Sequence, residues 1–133
     1  MLFRSTTTIL DARRAAAAVQ AMWRPIFVDL QIVQTDSAVT YSKLREYDYD
    51  VATANWGADF NDASNFLMIL TTGNAQNYAG YSNPEFDARY TAAENEADPA
   101  KRGELLLTAE KIALADYAWI PRNFRTSRVI VQP

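Results

Sequence analysis

The chain's folding options are restricted most by a change of hydrophobic period that occurs twice in its first half. In "ARRAAAAVQAMW", Ala16, Val19 and Trp23 fall at i, i+3 and i+7, one apolar stripe of a helix. Asp11 is placed to cap its start and Pro25 to stop it. "VDLQIVQT" then switches to a period of two. Val28, Leu30 and Ile32 alternate with Asp29 and Gln31, the pattern of a half-buried strand. Asp36 or Ser37 caps a short helix over "AVTYSKLREY", and "VATANW" reads as the next strand. Helix, strand, helix, strand at this spacing predicts an α/β layer with a crossover between parallel strands.

The second half is mostly helical. "TTGNAQNYAGYS" is rich in Gly and Asn and reads as a loop. Asn83 with Pro84, and Asp98 with Pro99, each pair an N-cap with a proline at the first helical position. The second of these helices is expected to bury Leu105, Ala109 and Ile112 and to run until Pro121, and "SRVIVQ" reads as a last strand. Residues 1–5, "MLFRS", read as a non-native leader that is no part of the fold; residues 6–133 read as one α/β unit without repeats or linkers.

Composition removes several functions. There is no Cys and no His, so zinc sites of the usual ligand types, thiol catalysis and Ser-His or Cys-His arrangements are all excluded. A net charge of −3 with interspersed signs offers no basic stripe for phosphates, so no nucleic-acid partner is expected. No apolar run approaches the roughly 20 residues that span a bilayer. Neither a cofactor nor a metal is expected.

Candidate chemistry concentrates in "NWGADFNDASNFLMIL", where Asp59 and Asp62 stand three apart beside Asn61 and Asn65. A calcium loop counted from Asp59 would place Ala63, Ser64 and Leu70 at its fifth, sixth and twelfth positions, and none of the three suits its place. As a glycosidase pair, the two aspartates lack separate scaffold positions flanking a scissile bond. Asp62 stands directly before the apolar run and reads as a helix cap. Asp59 falls at the carboxyl end of the expected strand, where open α/β sheets bind ligands. Trp56 beside it serves either as core packing or as an apolar wall next to a charge for a cationic group. Ser42 with Lys43 matches no nucleophile motif, Arg122, Arg125 and Arg128 read as a solvated strand face, and Tyr78, Tyr81 and Tyr90 read as packing at a helix entry.

Three segments in register, "WGADFNDASNFL", "NYAGYSNPEFDA" and "DPAKRGELLLTAEKIALADYAWIP", resemble the C-terminal lobe of the peptide-binding proteins that serve ABC transporters. The resemblance covers nearly the whole chain after residue 10. It implies a single, truncated lobe of a type II periplasmic-binding fold, a mixed sheet flanked by helices. It also implies a periplasmic or cell-surface receptor without enzymatic activity, which closes two lobes around a peptide and delivers it to permease subunits. The missing N-terminal lobe would be a partner. By the same resemblance Asp59 anchors the peptide's α-amino group, Trp56 is the neighbouring wall, and Asn55 and the Gly57–Ala58 backbone line the rim. Two departures stand out: Ala63 where the family usually has proline, expected to loosen the helix start, and Arg89 where an apolar residue is common. A hydrolase using the acidic cluster and a ligand-free structural domain are the alternatives.

Overall fold

The computed structural model describes residues 2–7 and 10–122. Its order is β1 (Leu2–Thr7), α1 (Leu10–Trp23), β2 (Asp29–Gln34), α2 (Ser37–Arg45), β3 (Val51–Ala52), α3 (Ser64–Leu67), α4 (Pro84–Glu94) and α5 (Pro99–Ala115). The sheet order is β2-β1-β3, and both pairings are parallel. Leu2 lies opposite Asp29 and Thr7 opposite Gln34 on one side, while Ser5 faces Val51 on the other. Residues 2–5, within the stretch read as a leader, therefore form four of the six positions of the central strand. Among the described residues the sheet is purely parallel rather than mixed, since a helix follows each strand and carries the chain back. The expected last strand over "SRVIVQ" lies outside the described residues.

The short-range signals hold at most element ends. Asp36 caps α2 through Val39 N–H, Asn83 caps α4 through Glu85 and Phe86 N–H, and Asp98 caps α5 through Ala100 and Lys101 N–H. Two boundaries differ. Asp11 lies inside α1, whose first residue is Leu10, and β3 stops at Ala52. On β2, Leu30 is buried, Ile32 is half-buried, as is Val28 just before the strand, and Asp29 and Gln31 are exposed, as the alternation requires.

Helix ends explain the remaining departures. α5 stops at Ala115 because Ala118 N–H bonds Ala113 O, Tyr117 N–H bonds Leu114 O, and Tyr117 adopts φ 55°. This is a Schellman closure, and it acts well before Pro121 is reached. The same pair of bonds, with Tyr47 at φ 55°, closes α2, and Phe27 at φ 61° closes the short 3₁₀ segment that follows α1. Glycine normally fills such positions, so three aromatic residues sit where an L side chain is strained.

The main core lies among the last helices. Leu67, Leu70, Phe86, Ala93, Leu106, Ala109 and Ala113 are buried together, with Tyr81, Tyr90, Leu105 and Ile112 packed against them. The buried stripe of α5 is thus rotated from the expected one: Ala109 holds its place, while Leu105 and Ile112 are only half-buried. Phe86 meets Tyr81 edge-on at 5.5 Å and stacks with Tyr90 at 6.4 Å. Tyr78 contacts the Tyr41 ring at 5.9 Å, so all three tyrosines pack as expected. Arg89 is exposed and displaces nothing from the core.

Two stability outcomes follow. Phe86→Ala should cost about 3–5 kcal/mol in urea denaturation, against a small change for Phe66→Ala at an exposed position. Phe27→Gly should instead stabilise by about 0.5–1 kcal/mol, because relief of left-handed strain exceeds glycine's added chain entropy. The Phe27 ring is 90% exposed and gives up little packing. A loss of stability in Phe27→Gly would contradict this account.

Candidate functional site

Beyond β3 the chain leaves the sheet and runs without regular structure from Thr53 to the start of α3. Trp56 is half-buried on this stretch, and Asn55, Gly57, Ala58 and Asp59 are exposed. A Cβ at Gly57 would meet nothing within 4 Å, so the rim there is open.

What holds the rim is Asn65, on the first turn of α3 and fully buried. Its Oδ1 accepts Trp56 Nε1–H at 2.9 Å and Asp59 backbone N–H at 3.2 Å. Both partners are donors only, which fixes the orientation of the carboxamide. The Asp59 backbone is therefore held while its carboxylate stays exposed.

Asp62 has a different environment. Its Oδ1 accepts Ser64 N–H at 2.8 Å, capping the entry to α3, and its Oδ2 accepts from Arg102 of α5 at 2.5 Å. Arg102 also reaches Glu94 of α4 at 3.3 Å. The bond from Arg102, followed by those from Ser64, holds the Asp62 carboxyl far below the usual carboxylate range. The cap expected from the sequence is present, displaced one residue ahead of the formal helix boundary. The ion pair is an addition that no local pattern announces, since Asp62 and Arg102 lie 40 residues apart. It also secures an α3 entry that Ala63 was expected to loosen.

A second polar joint supports the loop after α3. Asn77, buried, donates through Nδ2 to Thr71 O and Tyr81 O and accepts Tyr81 N–H at Oδ1. Tyr47 donates to Asn77 O, and Tyr49 donates to Tyr78 O. Tyr81 donates to Asp116; burial first and that carboxylate second push its phenol up to about 12. Ser42 bonds Glu46 and Lys43 pairs with Asp48, contacts within α2 and the turn that follows it. Among the described residues, no group of three acidic residues could hold a metal.

A parallel sheet with helical crossovers, followed by an irregular stretch that carries an indole and an exposed carboxylate, defines the described residues as an α/β fold. Residues 2–78 match the profile of the bacterial extracellular solute-binding proteins, family 5 Middle, and the chain belongs to that family. It is similar to the oligopeptide-binding protein OppA of Bacillus subtilis, with 36% identity over 115 residues, 85% of this chain and 21% of that protein. The structure of Haemophilus influenzae OppA in complex with RPPGFSPFR superposes with a TM-score of 0.85 at 26% identity, covering 89% of this chain and 24% of that one. The ABC transporter-associated periplasmic binding protein DppA from Helicobacter pylori, in complex with peptide STSA, gives 0.82 at 25% identity, covering 90% and 25%. The chain spans less than a quarter of the length of the curated relatives it matches.

The Asp62 contacts make a pH test. Its lowered pKa means that the stabilisation is fully present above the ordinary value of 3.8 and is lost as pH falls through the lower folded value. With 32% of the Asp62 side chain and 25% of that of Arg102 exposed, solvent screening keeps the pair's contribution small. Asp62→Asn should therefore melt below the parent at pH 7, and the difference should shrink from about pH 4 downward. An unchanged difference at pH 2 would remove the ionic explanation.

Proposed function

We propose that this chain is part of the C-terminal lobe of a peptide-binding receptor of an ABC transporter. In this reading it supplies one side of a two-lobed clamp, opposite an N-terminal lobe, and it works in the periplasm or at the cell surface. The parent captures a peptide between two lobes and delivers it to permease subunits, without chemical turnover. Asp59 anchors the peptide's α-amino group, Trp56 forms the wall, and Asn55, Gly57 and Ala58 form the rim. The observation that carries the reading is the pairing of Trp56 and Asp59 on one buried acceptor, with the carboxylate left free for a cation. The peptide complexes of OppA and DppA add the ligand class.

The hydrolase alternative is weakened by Asp62. A carboxylate committed to Arg102 and Ser64 is poorly suited to act as the second acid or base beside Asp59. The half-clamp reading draws support from exposed apolar side chains, among them Met22, Ile26 and Phe27.

An ammonium–carboxylate pair left open to water contributes only about 0–1 kcal/mol, so this chain alone should bind peptides no tighter than roughly millimolar in calorimetry. Micromolar affinity would remove the half-clamp. With a first lobe supplied from a relative, the shielded pair contributes about 1.5–3 kcal/mol. Asp59→Asn should then weaken peptide binding by roughly ten- to several-hundredfold. N-acetylation of the peptide should cost the parent a similar factor and the variant much less. Equal binding of free and acetylated peptides by parent and variant would end the anchor assignment.

A further inference from the structure

We infer that Asn65 is the positioning residue of this rim, locking the Trp56 indole and the Asp59 backbone into one unit through a single buried oxygen. Three observations carry this. Asn65 is fully buried, although it is polar and sits on a short helix beside Leu67 and Leu70. Its Oδ1 receives both the indole and the Asp59 amide, which belong to a stretch with no regular structure of its own. Its Nδ2 is buried without a hydrogen-bond partner among the described residues.

The last point separates positioning from mere stabilisation. A buried amide donor without a partner works against folding, so the carboxamide is a poor choice for the core as such. What it offers is a planar acceptor able to take two N–H groups at once. Asn65 is itself held, since its N–H bonds Asp62 O and Asp62 is clamped by Arg102. The distance between apolar wall and anionic anchor is thus set from α3 and α5, before any ligand arrives. Resting on the peptide-receptor reading, this makes Asn65 a residue that selects ligands with an ammonium group next to an apolar one.

The test uses this 133-residue chain without ligand and follows solvent exchange of the Trp56 indole N–H and the Asp59 amide by ¹H–¹⁵N NMR. Asn65→Leu fills the volume but removes the acceptor, and both protons should exchange at least tenfold faster. Amides of Ala93 on α4 and Ala109 on α5 should keep their parent rates. Asn65→Asp retains the acceptor and should restore slow exchange at Trp56 and Asp59. Unchanged exchange in Asn65→Leu, acceleration spread equally over α4 and α5, or failure of Asn65→Asp to restore protection would each overturn the assignment. Should Asn65→Leu not fold, Asn65→Ser, too short to reach both donors, carries the same expectation, and parent-like protection in it is equally fatal. Because no peptide is present, the outcome is independent of the anchor test on Asp59: either can fail without the other.

Discussion

A carboxamide oxygen offers two acceptor directions, and the placement of the rim depends on both of them being used at Asn65. The dependence comes from the way the chain is divided. The main core is confined to α3, the short 3₁₀ turn after it, α4, α5 and their flanks. The buried residues of the sheet side, among them Ala16, Leu30 and Leu44, are not part of that cluster. Among the described residues, polar and aromatic contacts join the two regions. Trp56 and Asp59 reach Asn65, Tyr47 reaches Asn77, and Tyr49 and Tyr41 reach Tyr78. Directional bonds across such a seam fix geometry more sharply than apolar packing, which tolerates sliding.

A seam of this kind is a reasonable place for a recognition rim. Backbone leaving the end of a parallel strand no longer has ladder partners and is free to present side chains. It also loses rigidity, unless something behind it supplies hydrogen bonds. Here α3 does so from one side, and Arg102 anchors the α3 entry from α5 through Asp62. A substitution in α5 can therefore reach the rim without touching it.

What the sequence made legible follows from the range of each interaction. Caps at Asp36, Asn83 and Asp98 act within three residues, and the alternation of Val28, Leu30 and Ile32 reports directly on one face of β2. The candidate rim was legible as a cluster because its members are adjacent in sequence. The central place of β1 was not, because "LFRSTT" offers neither an alternating pattern nor an apolar run. Nor were the ends of α2 and α5, where tyrosine takes the place at which glycine would have marked the turn. Asn65 stood in plain view beside Asp59, yet its role depends on which way a buried amide faces. Arg102 lies too far along the chain for any local pattern to pair it with Asp62.

The two aspartates show how far identical chemistry diverges with environment. Asp62 faces a guanidinium and a helix-entry N–H, so its charge is neutralised inside the fold and its removal is felt as lost stability. Asp59 gives only its backbone N–H to Asn65 and keeps an exposed carboxylate, so its removal should leave the fold largely intact. The structural role and the proposed recognition role are thereby separated within three positions. A charge held by its own protein is a poor receptor for a ligand's cation, because the ligand must first displace the internal partner. That asymmetry, more than the presence of two acids in one segment, is what makes Asp59 the candidate anchor.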